Sequence, residues 1–180
     1  MYWMDTPQAY GRVTRALHWI MAALILWQFL GMGLRLGFGR QPFVSTFVGS
    51  HQPVGLILLG LILARMIWAF AMRRRRPAHL RLAWAARLGH GALYALMLVV
   101  PLLALIRAWG GARAFAPFGF QIFPARDPAV EWAVTLGDML HGELAWVLAV
   151  LIAGHVAMVI LHERVWRDGT LARMTGRAAR

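Results

Sequence analysis

The chain has no cysteine among its 180 residues. Disulfides, thiolate metal sites and iron–sulfur clusters are therefore excluded, and any bound metal must be held by nitrogen or oxygen atoms. The missing cysteines also leave the redox compartment open, because disulfide usage is the signal that would indicate it.

The chain also has few charges, and most of them have one sign. Only 14% of the residues are charged and 60% are hydrophobic, a composition typical of an integral membrane protein. All 19 basic residues are arginine, and with 7 acidic residues the net charge is +12. Such a charge would suggest a nucleic-acid partner in a soluble protein, but these arginines cluster beside apolar segments. The positive-inside rule accounts for that pattern, so we predict a lipid bilayer as partner and no nucleic acid.

Four long apolar segments predict four transmembrane helices, at approximately 16–35, 50–72, 86–107 and 133–163. The first charge-free run is longer than the usual core of a signal peptide and no small-residue cleavage site follows it, so we interpret it as a span. Pro53 is expected in the first turn of the second helix, which would then begin close to Ser50. Pro101 is expected to kink or end the third helix. The predicted fold is an all-α membrane protein, a four-helix bundle forming one domain over residues 1–180.

An even number of spans places both termini on the same side of the membrane. That side carries 13 arginines in its loops and tails. The two opposite loops carry five, which are Arg35, Arg40, Arg107, Arg113 and Arg126. The arginine-rich side, with both termini, is therefore predicted to be cytoplasmic.

Histidines fall at two depths in these predicted helices. His18 and His90 lie near the cytoplasmic ends of the first and third helices, and His51 lies near the outer end of the second. The fourth helix carries His141 outside and His155 inside, and residues 14 apart in a helix share a face about 21 Å apart along its axis. Each half of the membrane can therefore bring histidines of different helices together.

Such histidines suggest a ligand set. A single histidine in a membrane helix is more often a core residue that forms a hydrogen bond. Burying ionisable groups in lipid costs free energy, however, so several histidines at matching depth favour a functional site. Neutral imidazoles can ligate haem iron, and bundle cores hold such cofactors. A zinc or copper ion could occupy one layer but would not explain two. Arg65, 14 residues after His51, lies at the inner depth and could pair with a haem propionate or extend to the interface.

The order and spacing of these residues resemble the bacterial cytochrome b561 family over nearly the whole chain. The matching segments are Arg15-Ala-Leu-His18-Trp19, Ser50-His51 with Arg65, Leu88-Gly89-His90 with Tyr94, His141-Gly-Glu with His155 and His162, and Trp166-Arg-Asp-Gly-Thr-Leu-Ala-Arg-Met174. The resemblance implies a bacterial inner-membrane bundle holding two haems b, with His18 and His155 ligating the inner iron and His51 and His141 the outer one. His90 then has a quinone-proximal, supporting or packing role. His162 is a candidate for a quinone site or a solvated interfacial residue.

The resemblance also suggests an activity, because similar proteins oxidise superoxide and pass the electrons to ubiquinone. We therefore predict electron transfer through the membrane, most specifically as a superoxide oxidase-like oxidoreductase with ubiquinone as substrate. One alternative is a membrane-anchor cytochrome b subunit that takes electrons from a partner dehydrogenase or hydrogenase. Another, of a different class, is a transporter or structural bundle whose histidines relay protons or bind a metal.

Overall fold

The computed structural model describes residues 2–77 and 82–176. Its long helices are α1 (Arg12–Phe38), α2 (Pro42–Ala71), α3 (Ala83–Gly110) and α4 (Glu131–Leu161). A π-helical segment, His162–Trp166, continues α4, and a short α5 (Thr170–Thr175) follows. Four helices are long and apolar enough to cross a membrane, and the described residues contain no β-strand beyond one isolated bridge. The predicted fold class is confirmed.

The prediction that the second helix begins near Ser50 was wrong, and of the two outcomes predicted for Pro101 the end of the helix does not occur. Helix α2 begins at Pro42 rather than near Ser50, so Pro42 occupies the first turn and Pro53 lies inside the helix. Pro101 likewise lies inside α3, which continues to Gly110. In an apolar setting a helix keeps its backbone bonds wherever it can, and one missing N–H is tolerated, so prolines mark helix ends less reliably than in water.

The helices pack as two hairpins. Helix α1 packs on α2, α3 packs on α4, and α2 joins the hairpins through α3. Glycine permits the closest approaches: a Cβ at Gly31 would lie 3.0 Å from Cβ of Phe47, and one at Gly137 would lie 2.9 Å from the Leu103 carbonyl oxygen. The hairpins themselves are therefore tight, and the seam between them is looser.

The outer surface of the bundle is apolar. Leu26, Ile67 and Val150 are 70%, 72% and 70% exposed, respectively. Large aliphatic side chains at this exposure over four neighbouring helices are what a bilayer-facing surface requires. The small protein core, Met21 with Leu59 and Ile62, lies between α1 and α2.

Both ends of the described chain meet at one end of the bundle, which we call the termini end. Arg15 of α1 donates a hydrogen bond to the carbonyl of Thr175 at 2.6 Å, and the Trp19 indole donates to the carbonyl of Met174 at 3.3 Å. The opposite end, which carries the α1–α2 and α3–α4 connections, is called the loop end. Arg81, Arg177 and Arg180, which we counted among the basic residues of the first side, lie outside the described residues.

Candidate functional site

One histidine pair lies toward the loop end. The imidazole rings of His51 on α2 and His141 on α4 have centroids 6.0 Å apart and planes at 84°. Nδ1 of His141 donates a hydrogen bond to the Val100 carbonyl at 2.9 Å. Because a carbonyl only accepts, Nδ1 of His141 carries the proton and Nε2 keeps its lone pair available for a metal.

Three histidines lie toward the termini end. His155 on α4 is flanked by His18 on α1, with ring centroids 6.3 Å apart, and by His90 on α3, with centroids 5.5 Å apart. The structure thus brings together both of the residues that sequence reasoning weighed against each other as partners of His155.

The separations of the two pairs fit a metal between two imidazoles. Two metal–nitrogen bonds of about 2 Å each, together with the two ring radii, span roughly 6 Å between ring centres. The observed 6.0 Å for His51–His141 and 6.3 Å for His18–His155 match that span. The separation of His90 and His155, 5.5 Å, departs further from that span.

The surroundings suit a planar prosthetic group better than a bare ion. No group of three or more His, Asp or Glu side chains within residues 2–77 and 82–176 is arranged to hold a metal ion, so a protein-only coordination shell is absent there. Gly142 directly follows His141, and Gly154 directly precedes His155. A Cβ at either glycine would meet no atom within 4 Å. A haem supplies its own four equatorial nitrogens, so it needs only the two axial histidines and room beside them.

Arg65 lies beside the termini-end histidines. Its Nε donates to the Tyr94 hydroxyl at 3.1 Å, and its guanidinium carbon lies 5.9 Å from the centroid of that ring. Its charge is close enough to act on His18 and His155. A fixed cation at this depth is suited to a carboxylate such as a propionate.

His162 heads a hydrogen-bonded cluster just past α4. Its Nδ1 lies 2.6 Å from Oδ2 of Asp168, and the Thr170 hydroxyl donates to Oδ1 of Asp168 at 2.6 Å. Sequence reasoning singled out His162 but missed Asp168 and Thr170 as its partners. The available signal was an Asp-Gly-Thr turn directly after a span, six residues beyond a histidine.

A cavity of about 550 Å³ opens at the loop end. Its lining includes Gln52, the neighbour of His51, together with Arg107 and Arg113. Arg107 forms an ion pair with Asp138, whereas Arg126 donates to the Trp109 carbonyl at 2.6 Å and stacks on that indole. Two of the five arginines predicted to face the outer side therefore line one cavity.

Within residues 2–77 and 82–176, four membrane-length helices bring histidines of different helices close together, which defines a polytopic membrane protein. Comparison with known families gives the same class: the model of the prokaryotic cytochrome b561 family matches residues 9–177. The chain belongs to that family of electron-transfer membrane cytochromes, and membership implies that it binds haem b.

Curated relatives cover almost the full chain at low identity. Cytochrome b561 homolog 2 of Escherichia coli K12 is 26% identical over 99% of this chain and 97% of its own length. Cytochrome b561 homolog 1 of the same organism is 27% identical over 89% of this chain and 93% of its own length. A protein of Yersinia pestis named probable superoxide oxidase CybB is 24% identical over 92% of this chain and 94% of its own length.

Proposed function

We propose that the protein carries electrons between the two faces of the bacterial inner membrane through two haems b. His51 and His141 hold the haem toward the loop end, and His18 and His155 hold the one toward the termini end. The observation that carries the proposal is the pair of ring separations, 6.0 and 6.3 Å, repeated at two depths along α4. When bound, haem b supplies a one-electron couple, and two protein ligands leave its iron no free position for oxygen.

The residues of the chain prepare each site before any electron moves. The hydrogen bond from His141 to the Val100 carbonyl fixes the ring and its tautomer, so that Nε2 faces the loop-end site. Arg65, held by Tyr94, supplies positive charge at the termini-end site. His90 acts as a supporting residue beside His155, since the distance between their rings fits a shared metal less well than that between His18 and His155.

The electron donor that the loop end suits best is superoxide. A small anion is attracted by clustered positive charge, and Arg107 and Arg113 line a cavity that also reaches Gln52, the residue after the ligand His51. The ion pair of Arg107 with Asp138 halves that charge, which makes Arg113 the main attracting residue. The name of the Yersinia pestis relative supports this donor.

The electron acceptor at the other end is ubiquinone, and the chain is then a superoxide oxidase-like enzyme. His162 provides a hydrogen-bonding nitrogen at the termini end of α4, since Asp168 holds its Nδ1 and Nε2 is the other ring nitrogen that can form a hydrogen bond. Reduction of a quinone consumes protons, and an imidazole–carboxylate pair is a suitable proton donor. With its arginine-rich termini end in the cytoplasm, the protein would take those protons from the cytoplasmic side.

The haem proposal is tested by reducing the purified protein with dithionite and counting haem as its pyridine haemochromogen. We expect a b-type spectrum and two haems per chain. His51→Ala should retain one haem and His155→Ala should retain the other, with distinguishable α-bands. Absence of a b-type spectrum would leave the transporter or structural bundle, and the same remaining haem in both variants would refute the pairing.

The superoxide proposal is tested separately by stopped-flow mixing of the oxidised protein with superoxide, with and without ubiquinone. Haem should be reduced by superoxide and reoxidised by the quinone. A two-haem protein that superoxide fails to reduce would instead be a membrane-anchor subunit serving a partner dehydrogenase or hydrogenase.

A further inference from the structure

A groove at the termini end runs along one face of α1. It has a volume of about 530 Å³. Its lining residues are Arg12, Arg15, Ala16, Trp19, Ile20 and Thr175. The five residues of α1 follow one another at helical spacing, so they form a single stripe along the helix, and Thr175 closes the groove from the side of α5.

The stripe changes from cationic to apolar along its length. Arg12 and Arg15 lie in the first turns of α1, and Trp19 and Ile20, which are 47% and 51% exposed, lie one to two turns deeper. A phospholipid has the same order, with a phosphodiester at the interface, glycerol beneath it and acyl chains below. Tryptophan at the intermediate level is typical of a membrane interface.

The walls of the groove are held in place by the protein itself. Arg15 donates to the Thr175 carbonyl at 2.6 Å and Trp19 donates to the Met174 carbonyl at 3.3 Å, which fastens α5 against α1. The Arg12 guanidinium lies 5.3 Å from the centroid of the Trp3 ring. Nε of Arg15 is buried and has no hydrogen-bond partner among the described residues. The two guanidinium groups are thus positioned beside the groove.

We propose that this groove binds an anionic phospholipid, with its phosphodiester on Arg12 and Arg15 and its acyl chains along Trp19 and Ile20. Two adjacent guanidinium groups match the oxygens of a phosphodiester in charge and geometry, whereas the neutral head of a quinone has no negative charge to match theirs. Basic pockets beside transmembrane helices select anionic headgroups for this reason. The proposal is independent of the haem ligands and of the electron donor.

The test uses the full-length, haem-loaded protein in detergent, titrated with phosphatidylglycerol or phosphatidylcholine and monitored by native mass spectrometry. Phosphatidylglycerol should bind more tightly than phosphatidylcholine. Arg12→Gln should weaken phosphatidylglycerol binding about fivefold, the loss expected for one interfacial cation. Arg74→Gln is the matched control, because Arg74 is an exposed arginine outside the groove lining, and it should leave binding unchanged.

A second variant blocks the groove without removing charge. Ala16→Trp fills it at an exposed helical position, so the bundle should fold, retain its haem and lose phosphatidylglycerol binding. The proposal would be overturned if the protein bound the two lipids equally, or if Arg12→Gln and Arg74→Gln lost the same amount of phosphatidylglycerol affinity. It would also be overturned if Ala16→Trp bound phosphatidylglycerol as tightly as the natural protein. Displacement of phosphatidylglycerol by a short-chain ubiquinone would also overturn it, since the groove would then serve the quinone.

Discussion

Nδ1 of His162 lies 2.6 Å from Oδ2 of Asp168, and the other carboxylate oxygen accepts hydrogen bonds from the hydroxyl and backbone N–H of Thr170 at 2.6 and 3.1 Å. The carboxylate therefore orients the imidazole across the turn that follows the π-helical segment. Irregular helical turns of this kind occur frequently at functional sites. Since Asp168 occupies Nδ1, Nε2 is the ring nitrogen of His162 that can bond a further partner.

Asp168→Asn should slow quinone reduction about tenfold, the effect of losing one charge-assisted hydrogen bond to the imidazole. Haem content and the rate of haem reduction by superoxide should not change, because both depend on residues elsewhere. Stopped-flow reoxidation of reduced protein by a short-chain ubiquinone measures the effect. Thr170→Val removes the hydroxyl that donates to Asp168 but keeps the bond from the Thr170 backbone N–H, so it serves as a milder comparison. An unaffected reoxidation rate in Asp168→Asn would remove Asp168 from the quinone step.

The same cluster predicts a pH dependence. Burial tends to raise the pKa of Asp168, but the hydrogen bonds from Thr170 and His162 outweigh it and hold the pKa below its ordinary value. A carboxyl group with a lowered pKa stabilises the folded state above its unfolded pKa, and that stabilisation is lost as the pH falls through the folded value. The contact of α5 with α1 should therefore persist from neutral pH to about pH 5 and weaken only below about pH 4. Amide hydrogen exchange of residues 170–175 across this range measures it, and Asp168→Asn should abolish the acid transition.

The two candidate partners of His155 can be distinguished by haem content. His18→Ala should remove the termini-end haem, because His18 and His155 have the separation that a shared iron requires. His90→Ala should retain two haems and shift only the spectrum or potential of that haem, since the ring of His90 merely packs beside His155. Pyridine haemochromogen quantitation of both variants decides the matter: the reverse pattern would assign the ligand to α3.

The sequence predicted the features that depend on composition and helical periodicity. Charge-free runs identified all four helices, and the 14-residue spacing of His141 and His155 placed them at opposite ends of one helix face. The depth of each histidine within its span then indicated which histidines of other helices it could meet, because each span crosses the same bilayer. Depth could not choose between His18 and His90, which lie at the same level on α1 and α3.

Features that depend on long-range contacts could not be predicted. Asp5 is only 2% exposed, accepts a hydrogen bond from the N–H of Gly11 at 2.8 Å and has a carboxylate oxygen 3.5 Å from Nε of Arg76. Nothing local in the sequence indicates that an aspartate near the N-terminus meets an arginine at the end of α2. The partners of His162 were missed similarly, because the turn that returns Asp168 to it depends on left-handed backbone at Arg167 and Gly169.

Arg113→Glu should slow haem reduction by superoxide about fivefold to tenfold at low salt, because it reverses a charge at the loop-end cavity. The difference from the natural protein should shrink as salt rises, since screening removes steering. Arg40→Glu changes the same charge at the same end of the bundle but outside the cavity lining, so it should have a much smaller effect. Equal slowing in both variants would indicate a general surface field rather than a route through the cavity.

Arg65 should set the potential of the termini-end haem. Its positive charge disfavours the oxidised, more positive iron, so Arg65→Gln should lower the potential, by about 1 kcal/mol or roughly 40 mV for a one-electron couple. Tyr94→Phe keeps the charge but removes the hydroxyl that accepts from Nε of Arg65, and should change the potential less. Spectroelectrochemical titration resolves the two haems if their α-bands differ. A shift confined to the loop-end haem, or none in Arg65→Gln, would show that Arg65 points its charge toward the membrane interface rather than toward the haem.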